Sequence, residues 1–366
     1  MTDYMVDSTE LTSIANEIRA KSGKTELLIF PGGFMSEIRS FKIAPKKYIT
    51  ETYDETTGAA VTAELHGYTN VPSLVFSGQT SLTNVSLPND ITSIGDSAFR
   101  KCTKLALTSL PSGVTSMGAL AFDGCTRLAL TELPSGLTSI DQSTFNGCTR
   151  LALTSLPSGI TSIGRSAFTD CSRLALTSLP SGVTSIEVLA FKNCTSLALT
   201  SLPSGVTIIG GSAFYGCTSL ALTSLPSGLT SIGDNAFNGC TSLALTSLPS
   251  GINSIGIQAF DGCTSLALTS LPSGVTNIQG SSFKNCTRLA LTSLPSGVTK
   301  IEKGAFEGCT GLTSITFKSK PQSINSTAFA GCTNLTSIKV PWARDAVSGA
   351  PWGATNATIT YKYTGA

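Results

Sequence analysis

Apolar residues recur along this chain with a fixed period of 23 residues. All eleven cysteines stand 23 residues apart, from Cys102 to Cys332, and a column of phenylalanines runs three residues ahead of them, from Phe76 to Phe329. A third column holds isoleucine or an equivalent apolar residue. Repetition at a period of this length is typical of solenoids, in which each repeat forms one coil. We predict about twelve coils between residues 57 and 340.

A single coil has too few apolar residues to fold alone. Burying each large one contributes roughly 1.5–3 kcal/mol, whereas ordering each backbone residue costs about 1–2 kcal/mol. Stacked coils share their apolar faces, which makes the array stable. The expected core includes Phe99, Cys102, Phe122, Cys125, Phe237 and Cys240.

Turn residues divide each coil at two places. The first turn is Pro-Ser-Gly, as at Pro226–Gly228, and the second is Asn238-Gly239 or its equivalent. We expect a short strand before the proline and a second extended stretch near Thr230 to Ile232. Stacking would join equivalent strands into parallel ladders about 4.8 Å apart.

One leucine column has two interpretations. Leu107 and its equivalents recur in nine coils, whereas in flanking coils the apolar residue comes one position later, as at Val85 and Ile315. A shift of one position moves a strand residue to the opposite face. Either a bulge returns the leucines to the core, with Thr108 outward, or they form an exposed ladder that promotes side-by-side assembly. The candidate interface residues are Leu107, Leu130, Leu153 and Leu176.

The repeated string LTSLPSGVTSIGxxAFxGCTSL resembles the BspA-like (treponemal-type) leucine-rich repeats, over about three quarters of the chain. The resemblance implies a mostly β, curved leucine-rich-repeat solenoid at residues 67–340. It also implies binding or adhesion, since such repeats occur on bacterial surfaces, in some protists and in phage-associated proteins.

The N-terminal residues lie outside the repeat. A cap at Ser8 and Thr9 and the apolar spacing that follows predict a small helical hairpin at residues 1–42. Its sequence TELTSIANEIRAKSGKTELLIFPGGFMSEIRSF resembles a module at the start of phage and prophage structural proteins. It would attach the chain to a virion or cap the first coil, and residues 43–66 read as a β lead-in.

The C-terminal stretch VPWARDAVSGAPWGATNATITYKY departs from the period. Residues 357–363 alternate like a strand, and residues 341–366 are expected to form a β cap. Trp342 and Trp352 would close the last coil or serve as a ligand platform. Similar Pro-Trp-Gly-Ala-Thr tails accompany this repeat type in phage-like proteins.

Composition narrows the chemistry further. With 13% charged residues and a net charge of +2, no strong attraction to nucleic acid is expected, and no apolar run is long enough for membrane insertion. The single histidine, His66, has no nucleophile motif nearby. A straight column of cysteines does not converge on a metal, so reduced core thiols are expected. We expect neither enzyme activity nor cofactors.

Two sets of surface residues are candidates for ligand binding. The position after each phenylalanine varies between coils and includes Asp123 and Tyr215. A basic column occupies one position in four successive coils, at Lys104, Arg127, Arg150 and Arg173. Since stacked like charges are destabilising, this column could serve an anionic partner such as a teichoic or acidic polysaccharide. The alternatives are relief by Asp123 and Asp170, or simple repeat duplication.

These features favour a non-catalytic phage or prophage tail-associated protein that recognises a host cell-surface glycan or protein. Its N-terminal module would contact other virion proteins, and homo-oligomers are possible. Because no signal peptide is visible, such a protein would be made in the host cytoplasm and reach the virion. The alternatives are a BspA-like adhesin on a bacterial surface and a polysaccharide-binding accessory module of an enzyme complex.

Overall fold

The computed structural model describes residues 47–364. The chain divides into two units, Met1–Lys47 and Tyr48–Ala366. The helical module predicted at residues 1–42 lies outside the described residues. The second unit is a stack of coils joined by short parallel strands, in agreement with the predicted solenoid.

One short strand recurs in twelve successive coils and forms the most regular face of the stack. Equivalent strands pair in parallel with a register of 23 residues, as in Ser231↔Ser254 and Ile232↔Ile255. Each ends on a buried isoleucine or methionine, or on Val71 in the first coil. These strands are β3 (Asn70–Val71), β5 (Ser93–Ile94), β6 (Ser116–Met117), β7 (Ser139–Ile140), β8 (Ser162–Ile163), β9 (Ser185–Ile186), β10 (Ile208–Ile209), β11 (Ser231–Ile232), β12 (Ser254–Ile255), β13 (Asn277–Ile278), β15 (Lys300–Ile301) and β17 (Ser323–Ile324).

A second strand position is occupied only near the two ends of the stack. At the N-terminal end, the hairpin β1 (Tyr48–Tyr53) and β2 (Ala60–His66) pairs in parallel with β4 (Asn84–Ser86). At the C-terminal end, the sheet order is β14-β16-β18-β19. Its strands are β14 (Ser293–Leu294), β16 (Ser314–Phe317), β18 (Ser337–Lys339) and β19 (Thr358–Thr360).

The strand predicted before the proline is therefore wrong for the coils between β4 and β14. In those coils the ladder is reduced to isolated backbone hydrogen bonds, such as Ala129 N–H to the Leu107 carbonyl at 3.0 Å. These are the coils in which the leucine comes one position early, so that Val85 is buried whereas Thr108, 23 residues later, points outward.

Most coils hold two residues in the left-handed backbone region, four positions apart. Asn235 and Gly239, with φ of 56° and 73°, show the pattern. Glycine, asparagine and aspartate tolerate this conformation best, which explains the second turn signal. Lys101 adopts φ of 60° at the Gly239 position of its own coil.

Stacked aromatic rings run through the interior of the unit. Successive phenylalanines from Phe76 to Phe329 lie 5.2–5.7 Å apart between ring centroids, with interplanar angles of 4–11°. Offset stacking of this kind adds to the gain from burial. The residues expected in the core, Phe99, Cys102, Phe122, Cys125, Phe237 and Cys240, are all fully buried.

The cysteine column forms a hydrogen bond to a backbone carbonyl in each coil. Every thiol donates a hydrogen bond to the carbonyl of the phenylalanine one coil earlier, as from Cys125 Sγ to Phe99 O at 3.0 Å. The eleven sulfur–oxygen distances lie between 2.9 and 3.1 Å. The thiols thus pack as small apolar groups and also donate to a carbonyl that already accepts a backbone N–H of its own coil, as Phe99 O does from Cys102 N–H at 3.0 Å.

The stack extends one coil further than predicted, to a thirteenth. Trp352 stands 23 residues after Phe329 (352 − 329 = 23) and is fully buried. The Phe329 N–H donates to the Trp352 carbonyl, and β19 pairs with β18. Trp342 lies 5.3 Å from Phe317 between ring centroids and is 6% exposed. Both tryptophans therefore close the stack, and neither is available as a ligand platform.

Candidate functional site

The segment from residue 104 to residue 108 places every second side chain on the surface. Lys104, Ala106 and Thr108 are exposed, while Leu105 and Leu107 are buried. Later coils repeat this alternation, with half-buried alanines in several of them. One face of the stack therefore carries three parallel columns: a basic residue or serine, an alanine, and a threonine.

The basic column is exposed along its whole length. Among residues 47–364, no ion pair joins Arg127, Arg150 or Arg173 to an acidic side chain. Lys104 lies near Asp54, whose pKa is lowered mainly by hydrogen bonds from Thr57 and to a small degree by this lysine. The three arginines thus carry charges that the described part of the chain does not pair.

The acids expected to relieve this charge are engaged elsewhere. Asp123 pairs with Arg100 at 3.1 Å and accepts a hydrogen bond from Asn146 at 2.7 Å. Asp170 accepts a hydrogen bond from the Asn193 amide at 2.8 Å. Neither of these two carboxylates therefore forms an ion pair that would offset the repulsion between the stacked arginines.

The second candidate set, after the phenylalanines, interacts along its own column. Asp123 is only 8% exposed because Arg100 and Asn146 from the adjoining coils cover it, so its expected role as an open ligand contact is wrong. Tyr215 is 36% exposed, and the Lys192 ammonium lies 5.6 Å from its ring centroid. Of the two candidates Asp123 and Tyr215, only the tyrosine offers a substantial outward surface.

The leucine column lies in the core. Leu107 is 7% exposed, Leu291 is 2% exposed and the seven between them are fully buried. The exposed-ladder alternative, with Leu107, Leu130, Leu153 and Leu176 as interface residues, is therefore wrong: the leucines lie in the core, with Thr108 outward. The reason is energetic, because nine exposed leucines would form an apolar patch larger than soluble monomers usually carry.

Replacing Leu176 by alanine should lower the free energy of unfolding by about 2–5 kcal/mol, since it leaves a cavity among packed side chains. Urea denaturation measures the loss. Thr177→Ala, at the exposed neighbouring position, is the matched control and should change stability by less than about 0.5 kcal/mol. Equal, small effects of both substitutions would place the leucine on the surface.

Sequence reasoning missed the threonine column. Thr108 and its equivalents through Thr292 are exposed in nine coils. Within the described residues their hydroxyls form no intramolecular hydrogen bond, whereas the column at Thr126 donates to the preceding coil, for example to Thr103 O at 3.0 Å. Little signal for it was present in the sequence, because Thr108 lies in a Leu-Thr-Ser string that is almost invariant from coil to coil, so its constancy does not separate exposure from packing.

The histidine and the cysteines, which are the side chains best suited to nucleophilic or metal chemistry, are either held in contacts or buried. His66 contacts Thr50 Oγ1 at 2.9 Å and stacks on Tyr48 at 4.5 Å between ring centroids, within the first hairpin. Burial raises the pKa of the Cys102 thiol to about 12 and that of Cys332 to about 11, and it raises the pKa of the other nine as well. Thiols held protonated in this way are poor nucleophiles and poor metal ligands.

Residues 47–364 contain neither a cluster of metal-ligating side chains nor a membrane-spanning helix. No group of three or more histidine, cysteine, aspartate or glutamate side chains is arranged to hold a metal ion. The same residues include no helix with the length and apolarity needed to cross a bilayer.

Comparison with known proteins agrees with this architecture. The family described as BspA type leucine-rich repeat region matches residues 69–198, 189–310 and 282–347. A leucine-rich cell surface protein from Faecalibacterium prausnitzii is 27% identical, with a TM-score of 0.53 over 86% of this chain and 98% of that one. A leucine-rich repeat protein from Bacteroides ovatus shares the fold at 22% identity and a TM-score of 0.50, over 86% and 98%. No curated protein matches the chain significantly.

Proposed function

Because the chain belongs to the family of BspA-type leucine-rich repeat proteins, we propose that it is a non-catalytic protein that binds a ligand on a bacterial cell surface. The observation that carries this proposal is the outward face of the coils. Basic and hydroxyl side chains there repeat from coil to coil without intramolecular partners, whereas the thiols are buried. Extended faces of this kind are the usual binding surfaces of solenoids.

Two settings fit this function. Residues 1–42 resemble a phage structural module, which supports a tail-associated protein that contacts the host and binds other virion proteins. The similar Faecalibacterium protein is described as a cell surface protein, which supports an adhesin. The repeat face would act in the same way in both settings.

Binding of the labelled full-length chain to intact bacteria tests the function. We expect saturable binding that unlabelled chain displaces, and no displaceable binding to any bacterial panel would contradict the proposal. Immunodetection in purified virions and on intact producing cells separates the settings. Detection in virions supports the tail protein, and detection on cells alone supports the adhesin.

A further inference from the structure

We infer that the coils carrying the basic column form a subsite for a linear acidic polysaccharide that lies along the stack. This inference deepens the proposed function and rests on it, because it names the ligand class of the same outward face. We call the subsite the acidic-glycan trough. It consists of Arg127, Arg150 and Arg173 on one side, Ala129, Ala152 and Ala175 in the middle, and Thr131, Thr154 and Thr177 on the other side.

The unpaired charge is the first argument for a ligand. The three arginines stand in consecutive coils, and no acidic side chain of the described residues forms an ion pair with them. Stacking like charges at one position weakens the native state. Folding does not require the charge, because later coils carry serine at this position and keep the same core. These are Ser196, Ser219, Ser242 and Ser265.

The shape of the surface is the second argument. Arg150, Ala152 and Thr154 alternate with the buried Leu151 and Leu153, so all three lie on the same outward face. Ala152 in the middle is exposed and has the shortest side chain after glycine. The two columns of longer side chains therefore flank a strip of alanines that continues from coil to coil.

The repeat distance is the third argument. Rings of successive coils lie 5.2–5.7 Å apart at Phe99, Phe122, Phe145 and Phe168. A polymer with a carboxylate on every sugar supplies acids densely enough to bring one within reach of each of these closely spaced arginines. Guanidinium groups bind carboxylates through paired hydrogen bonds. The unpartnered threonine hydroxyls can donate to, or accept from, sugar hydroxyls.

Polygalacturonate, which carries a carboxylate on each sugar, is the probe, and calorimetric titration of the full chain is the measurement. Affinity should fall steeply as salt rises, because binding releases counterions. The combined Arg127→Ser, Arg150→Ser and Arg173→Ser variant should bind roughly tenfold or more weakly. Its melting temperature at low salt should not fall, and should rise as the repulsion is removed.

A variant with the same loss of net charge is the matched control. Arg165, Lys303 and Lys318 are exposed, lie outside the trough and form no ion pair within residues 47–364. Their combined replacement by serine should leave affinity within about twofold, since dispersed charges act weakly at physiological salt. Conversely, Ser196→Arg with Ser219→Arg lengthens the row and should tighten binding.

Three results would overturn the inference: unchanged binding by the trough variant, equal loss in the control variant, or equally tight binding of double-stranded DNA, which would indicate general attraction to polyanions. Failure of the inference can be distinguished from failure of the function. If the chain binds bacteria displaceably but its binding of polygalacturonate does not depend on the arginines, the acidic-glycan trough is contradicted and the proposed function stands. If the chain binds polygalacturonate through the arginines but does not bind bacteria, the proposed function alone is contradicted.

Discussion

Raising the pH from about 8 to about 10 is expected to unfold this protein. All eleven thiols are buried, and burial raises the pKa of each above its ordinary value of 9.0. A group whose pKa is raised in the folded state stabilises it fully below the pKa of the unfolded chain. That stability is lost as the pH rises toward the folded value, which is about 12 for Cys102.

The effect is large because the residues are numerous and identical. Each thiol that ionises only in the unfolded chain removes about 1.4 kcal/mol of stability per pH unit. Eleven of them acting together would remove about 15 kcal/mol per unit, comparable to the whole stability of an ordinary domain. Thermal denaturation followed by circular dichroism between about pH 7 and 10 measures the loss.

Replacing Cys194, Cys217 and Cys240 by alanine provides the control. The triple variant should be less stable near pH 7, because it loses packing and three hydrogen bonds to phenylalanine carbonyls. Its decline with pH should nevertheless be shallower than that of the unmodified chain, in proportion to the thiols removed. A melting temperature that stays constant up to about pH 10 would contradict the account.

Replacing Phe214 by alanine should have the largest effect of any single substitution considered. The ring is fully buried and stacks on Phe191 and Phe237 at 5.6 and 5.5 Å between centroids. Truncation of a buried phenylalanine costs about 3–5 kcal/mol, and here it also breaks a stack that continues in both directions. Guanidinium denaturation gives the change in the free energy of unfolding.

Tyr215→Ala serves as the control, since it removes the adjacent, partly exposed aromatic ring from the same coil. Its effect should stay below about 1 kcal/mol, because only an exposed contact with Lys192 is lost. Since coils interact only with their neighbours, Phe214→Ala is also expected to broaden the transition by uncoupling the two halves of the stack. A change below about 0.5 kcal/mol would be incompatible with a continuous aromatic core.

The core could be predicted from the sequence because the buried positions of successive coils carry the same apolar residues at a fixed spacing. Phe99 and Cys102 repeat every 23 residues, and only aligned burial explains identical apolar residues at that spacing. The same spacing extends to Trp352, which is 23 residues beyond Phe329. The change from phenylalanine to tryptophan, with no cysteine three residues later, concealed it.

The errors occurred where the outcome depends on contacts between coils. Asp123 occupies a variable position, which predicts exposure, yet Arg100 and Asn146 from the adjoining coils cover it. Leu107 is buried, and the strand ladder is lost in its coil. The alternation of apolar and polar residues does not reveal whether the strand pairing is kept with the leucine exposed or lost with the leucine buried. Candidate ligand contacts are harder to predict still, because an exposed column carries no packing constraint.

Thiol accessibility tests the central claim, which is that identical side chains from successive coils shield one another from water. Native protein would be treated with a small maleimide near pH 7 and analysed by mass spectrometry, beside a sample unfolded in guanidinium. The account predicts that none of the eleven cysteines reacts in the native protein and that all eleven react after unfolding. Rapid labelling of cysteines along the middle of the native column, such as Cys194 and Cys217, would contradict it.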